Sequence, residues 1–173
     1  MQLAYTMAPG RGDTDLLLFR LAEALTKAGV RTAGTVQINI ENASGGPCDM
    51  DVQVLPAGQI FRISQSLGSG SRGCRLDPAA LESAVGYVQT ALDAGADCLI
   101  INKFGKQEAD GRGFRPVIAE ALSQGIPVLV GVNALNLSAF NEFADGLAQE
   151  LLPDRPALEA WVHRSLERKG EAA

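Results

Sequence analysis

Histidine is scarce in this sequence: His163 is the only one among 173 residues. A Ser-His or Cys-His catalytic triad therefore has no natural place in the chain. Cysteine is sparse as well. Cys48, Cys74 and Cys98 are odd in number, widely spaced and without a CxxC pair, which argues against a disulfide framework and against a zinc ribbon. Long hydrophobic runs are missing, since no segment approaches the roughly 18 apolar residues of a membrane span. The start, MQLAYTMAPG, has no charged lead and too short an apolar run for a signal peptide. A cytoplasmic chain without membrane contact is expected. Positive charge of one sign is also lacking: the formal net charge is −5 and the lysines and arginines are scattered. No basic stripe offers itself to a nucleic-acid backbone.

What is present is enough apolar material for a core. With 46% hydrophobic residues in 173, one compact domain over residues 1–173 is expected. Residues 3–8 form a short apolar run, broken by the turn formers Pro9-Gly10-Arg11-Gly12-Asp13. Leu17, Leu18, Leu21, Ala22 and Leu25 then recur at helical spacing, with Gly29 as the C-terminal stop. Residues 31–40 alternate like a strand. Residues 51–55 and 59–63 flank Pro56-Ala57-Gly58 as a hairpin, so the middle of the chain reads as antiparallel. Asp77 and Pro78 open a helix, as N-cap and first helical residue, that runs to about Ala94. Residues 96–101 and 127–132 are continuous apolar strands around a helix at 113–124, and such runs suit strands covered on both faces. Helices at 138–147 and 157–167 close the chain, separated by Pro153 and Pro156. This order predicts an α/β layered sandwich with a mostly parallel sheet, an antiparallel hairpin insertion and C-terminal helices.

Ligands of open α/β sheets lie beyond the strand C-termini. Two loops there carry chemistry. If the strands ending at Ala8 and Ile101 are neighbours, the stretch PGRGDTD faces the stretch INKFGKQE across the crevice. A phosphate loop GxxxxGK[ST] exposes backbone N–H groups, reaches the phosphates with a lysine and sets a hydroxyl on magnesium. Here Gly10 and Gly12 remain before a helix N-terminus, which attracts anions through free N–H groups. The lysine is absent, and Asp13 and Asp15 repel phosphate. Gly10, Arg11, Gly12, Asp13 and Thr14 are thus read either as a ligand loop or as a helix entry capped by Asp13 or Thr14. At the second loop, Asn102-Lys103 stands where a nucleotide hydrolase carries acidic residues for magnesium. That exchange disfavours magnesium-dependent hydrolysis and favours direct anion contact by Lys103 and Lys106, with Arg112 and Arg115 one turn on. Glu108 is the candidate acid or base, or the partner of a lysine.

A third segment, SLGSGSRGCRLDP, puts Arg72, Cys74, Arg75 and Asp77 after a glycine-serine lead. It reads either as a loop that closes over an anion through Arg72 and Arg75, or as a helix entry with solvated arginines. Cys74 beside two arginines, and Cys48 near Met50, are candidates for a soft metal or for small buried apolar groups.

The runs INKFGKQEADGRGFRPVIAEALSQGIPVLVGV, GCRLDPAAL and CDMDVQVLPAGQIFRISQSLG resemble a bacterial family known as a domain of unknown function, whose genes stand near those for molybdate transport and molybdenum enzymes. More distantly, the layout resembles the small thermophile-type P-loop nucleoside-triphosphatases. In those, an Asp-Glu-x-Gly-x-Met-Glu motif stands where Asn102 to Glu108 stand here. The resemblance implies a P-loop-like fold and a link to molybdenum.

The expected function is a degenerate P-loop-like domain that binds a nucleotide, ATP or GTP, or another phosphate-type anion in an accessory or regulatory role. A molybdate- or tungstate-binding protein is the first alternative. A nucleoside-triphosphatase or nucleotide-dependent transferase with Glu108 as base is the second. A pure interaction module, with the apolar tail around Trp161 and Val162 packed on the core or on a second subunit, is the last. The partners so expected are a small anionic ligand, a second copy of the chain or a protein of molybdenum metabolism.

Overall fold

The computed structural model of the chain describes residues 2–40, 49–65 and 75–171. Its elements follow in the order β1 (Leu3–Thr6), α1 (Asp13–Lys27), β2 (Thr32–Ile40), β3 (Asp49–Val54), β4 (Ile60–Arg62), α2 (Pro78–Asp93), β5 (Cys98–Ile101), α3 (Lys106–Ala109), α4 (Arg115–Ser123), β6 (Val128–Gly131), α5 (Leu137–Ala144), β7 (Ala148–Leu151) and α6 (Arg155–Glu171). The strands form one seven-stranded sheet in the order β4-β3-β2-β5-β6-β1-β7. Among these, β2, β5, β6, β1 and β7 are parallel, β3 pairs antiparallel with the far side of β2, and β4 pairs antiparallel with β3.

Side chains alternate across a strand, so each apolar strand feeds two layers. Leu3, Tyr5, Leu99, Ile101, Val128 and Val130 point into one layer, with Leu81, Val88 and Leu92 of α2, Val117 and Ile118 of α4 and Phe140 of α5. Ala4, Cys98, Ile100 and Leu129 point into the other, with Leu18, Leu21 and Leu25 of α1 and Leu158, Trp161 and Val162 of α6. Each fully buried leucine contributes on the order of 2 kcal/mol through removal from water. Trp161 and Val162 thus belong to the core of this chain, which removes them from any subunit surface. No described helix is long and apolar enough to cross a membrane.

The helix at α2 opens as its sequence predicts: Asp77 accepts from the N–H groups of Ala79 and Ala80, and Pro78 is the first helical residue. The tail differs. The helix expected at 138–147 ends at Ala144, because Asp145 and Gly146 take positive φ (48° and 72°) and turn the chain into β7 beside β1. Residues 148–151 read poorly as a strand since two of the four, Gln149 and Glu150, stand exposed at the sheet edge. A one-turn helix, α3, also precedes α4, which begins at Arg115 and not at Gly113.

The expected adjacency of the strands ending at Ala8 and Ile101 is corrected too, since β6 lies between β1 and β5. Strand order is set by long-range pairing, and no local pattern in either strand encodes it. The loops after β1 and β5 meet nonetheless, because β6 ends in Gly131. A side chain there would overlap the carbonyl oxygen of Asn102 and press on Leu18 of α1. Glycine lets both neighbours close over the strand end.

One register detail shapes the site. β2 pairs with β5 only through Thr32 to Thr35, but with β3 from Thr35 to Ile40. Its second half outruns the parallel partner.

Candidate functional site

α1 begins after Gly12, which takes φ 82° and ψ −5°, and among the described residues no side chain caps the helix. The expectation that Asp13 or Thr14 caps it is therefore corrected. Thr14 serves the loop instead: its Oγ1 accepts the N–H of Ala8 at 2.9 Å and ties the helix start to the end of β1. Asp13 folds back so that a side chain on Gly10 would overlap its carboxylate. Arg11 and Asp13 are exposed, and the first turn of a 15-residue helix is left with N–H groups that meet no side chain among the described residues. Such groups carry the positive end of the helix dipole.

Asp15 sits one residue beyond Thr14 and is 5% exposed. It lies three residues before Leu18 and seven before Ala22, on the stripe that α1 presents to the sheet. Its Oδ1 accepts from Asn102 Nδ2 at 2.7 Å and its Oδ2 from Asn39 Nδ2 at 2.8 Å. The amides are themselves fixed. Asn102 Oδ1 accepts the backbone N–H of Gln37 at 3.0 Å, and Asn39 Oδ1 accepts from Gln37 Nε2 at 2.7 Å. Lys103 Nζ stands 3.8 Å from Asp15 Oδ1 with a half-exposed side chain, so its charge faces both the carboxylate and solvent. The loop after β1 and the end of β5 are thus joined by a buried carboxylate, two carboxamides and an ammonium. Sequence reasoning placed Asn102 and Lys103 here and missed Gln37, Asn39 and the hub role of Asp15. The signal for Asp15 was its place on the apolar stripe.

Glu108 is buried near the start of α3. Its Oε2 accepts the N–H of Gly105 at 2.8 Å and its Oε1 the N–H of Phe114 at 3.0 Å, so it spans the loop between β5 and α4. Burial raises its pKa above the ordinary carboxylate value, with the two backbone donors pulling the other way. The N–H of Phe104 bonds the carbonyl of Gly131 at 2.8 Å and fixes the stem of the same loop. The remaining cations disperse. Lys106 and Arg112 are exposed, while the Arg115 guanidinium lies 4.9 Å from the centre of the Phe143 ring and donates to the carbonyl of Glu108 at 3.4 Å.

Arg75 belongs to another cluster, at 3.5 Å from Asp49 of β3. Arg62 of β4 bridges Asp49, at 2.8 Å, and Asp51. Arg72 and the metal candidates Cys48 and Cys74 lie outside the described residues. Met50 packs against the core, and the buried Cys98 thiol is pushed up to about 12 by desolvation. Among the described residues no group of three or more His, Cys, Asp or Glu is placed to hold a metal ion.

Two hollows flank the Asp15 cluster. An open groove of about 390 Å³ runs between α1 and β2, walled by Arg11, Asp13, Leu16, Phe19 and Ile38. A smaller cavity of about 80 Å³ lies under Lys103 and Lys106, against Thr35, Gln37 and Glu108.

Residues 3–161 match the family described as "Protein of unknown function (DUF2478)". A molybdenum import ATP-binding protein, ModC 2, of Bradyrhizobium diazoefficiens is 42% identical over 149 residues. That match takes in 86% of this chain and 17% of the relative, so the chain spans about a sixth of that longer protein. The solution structure of a human cancer-related nucleoside triphosphatase superimposes with a TM-score of 0.54 at 21% identity, covering 87% of each chain. The shared feature is the fold, a layered α/β architecture.

Proposed function

The chain belongs to the family described as "Protein of unknown function (DUF2478)", and on that footing we propose that the site between the start of α1 and the end of β5 binds a nucleotide or another phosphate-type anion in an accessory role linked to molybdenum handling. One observation carries the reading: the Lys103 ammonium stands beside the first turn of α1, whose N–H groups no side chain among the described residues caps. Backbone donors and a fixed cation are what a phosphate group needs. The two carboxylates of that turn would oppose an anion. Asp15 is answered by two amides and Lys103, while Asp13 is exposed to solvent. Fold likeness to a nucleoside triphosphatase and the relative's name, which joins ATP binding to molybdenum import, support the same direction.

In this reading Glu108 positions the Lys103 loop by holding Gly105 and Phe114, and the anion is bound without an obligatory turnover step. The relative's name also supports a second reading, in which the anion is molybdate or tungstate.

Calorimetric titration and thermal shift decide between them. The ligands are ATP, ADP, GTP and AMP, beside molybdate, tungstate and sulfate. A ligand at 100 times its dissociation constant stabilises by about 2.7 kcal/mol, a shift of several degrees for a chain of this size. Nucleotide binding that weakens about tenfold or more in Lys103→Ala upholds the first reading. A response confined to molybdate and tungstate transfers the site to oxyanions, and no response from any ligand ends both. Turnover of a bound nucleotide that disappears in Glu108→Gln, with binding kept, would restore Glu108 as a base.

A further inference from the structure

Magnesium is the cation that nucleotide hydrolysis on this fold uses, and the donor set around Asp15 tests whether it fits. It does not. Magnesium and related ions take oxygen ligands at roughly 2.0–2.6 Å. Asp15 is ringed by nitrogen donors instead: Asn102 Nδ2 at 2.7 Å, Asn39 Nδ2 at 2.8 Å and Lys103 Nζ at 3.8 Å. An amide N–H or an ammonium has no lone pair to offer a metal. Turning the Asn102 amide over to present its oxygen is blocked, because that oxygen accepts the backbone N–H of Gln37 at 3.0 Å. A reversed amide would set its NH₂ against a peptide N–H that can only donate.

We infer that the tie between α1 and the end of β5, which a divalent cation would make in a metal-using site, is made here by the Asn102 amide and the Lys103 ammonium. The site is therefore divalent-independent by construction, and the identity of residue 102 is the exclusion device. Asn102→Asp keeps the oxygen that Gln37 needs and turns the atom facing Asp15 from donor to carboxylate oxygen. Two buried carboxylates at that separation repel unless a cation joins them.

The test uses manganese as the probe and contains no nucleotide, so it is decided separately from the anion reading. Uptake is followed by the electron paramagnetic resonance of free Mn²⁺ with wild type, Asn102→Asp, Asn102→Asp with Asp15→Asn, and Asp15→Asn alone. The expected result is no saturable uptake by wild type, and binding at least about tenfold tighter by Asn102→Asp that is lost again when Asp15→Asn is added. Because Lys103 can neutralise the new carboxylate, Asn102→Asp is also measured with Lys103→Ala. Saturable uptake by wild type that Asp15→Asn abolishes overturns the inference. So does a folded Asn102→Asp, Lys103→Ala chain that takes up no manganese. Should the Asn102→Asp chains fail to fold, the comparison of wild type with Asp15→Asn decides alone: absence of uptake in both upholds the inference, and loss on substitution overturns it.

Discussion

The Asp15–Asn102 contact predicts a particular asymmetry in stability. Asp15→Ala removes two accepted hydrogen bonds and the Lys103 ion pair, but of the three donors only the buried Asn102 Nδ2 is left without a partner, since Asn39 is exposed and Lys103 half-exposed and both turn to water. A hydrogen bond to a charged group contributes about 1.5–3 kcal/mol, so the loss should be about 2–3 kcal/mol. Asn102→Ala removes two bonds, strands the buried Gln37 N–H and leaves Asp15 Oδ1 with no hydrogen-bond donor among the described residues nearer than Lys103 Nζ at 3.8 Å. Its cost should be larger, about 3–5 kcal/mol, since each orphaned buried group adds about 1–3 kcal/mol. The double substitution should fall short of the sum by about 1.5–3 kcal/mol, because each single change already forfeits the shared bond. Urea unfolding at 25 °C, with a common slope across the four chains, measures all three quantities. In thermal melts the same losses appear as about 2–4 °C per kcal/mol. Additivity within about 0.5 kcal/mol, or a costlier Asp15→Ala than Asn102→Ala, refutes the account of the cluster.

Gly131→Ala drives a side chain into the Asn102 carbonyl and Leu18, and should destabilise by more than about 2 kcal/mol in the same urea assay. Wild-type-like stability would mean that the β6 end yields. The folded pKa of Glu108 is raised, so its contribution is most favourable below the ordinary value of 4.5 and is lost as pH rises through the folded value. Carboxyl ¹³C resonances should show Glu108 titrating above the exposed glutamates. A midpoint at or below theirs would contradict the burial argument. In a Cys48→Ser, Cys74→Ser chain, Cys98 should resist a thiol reagent until urea unfolds the protein, and prompt native-state labelling would count against its place in the core.

Local chemistry made much of the fold legible. Unbroken apolar runs marked β1, β5 and β6, and Asp77-Pro78 marked the start of α2, since strand burial and capping are decided within a few residues. β7 escaped because edge strands need no apolar alternation and its residues continue the polar end of a helical pattern. The insertion of β6 between β1 and β5 escaped because strand order is a long-range property. At the site, Lys103 and Asn102 stood out as polar residues directly after an apolar strand. Asp15 was noticed only as a negative charge, although its spacing from Leu18 and Ala22 set it on the inward stripe. What its charge does there depends on Asn39 and Asn102, which lie 24 and 87 residues away and whose amide orientations are fixed only through Gln37.

The unequal pairing of β2 has a mechanical side. Beyond Thr35 the strand has β3 on one flank and, on the other, the Asn102 side chain standing in for the next rung of a ladder that β5 no longer continues. The β2–β3 arm is thus a cantilever rooted in the parallel sheet and braced near its root by the Asn102 carboxamide. That brace also grips the first turn of α1. Any tilt of the arm is therefore transmitted to the helix start, and any force on the helix start to the arm, through the two hydrogen bonds of Asn102 and the direct bond from Asn39 to Asp15.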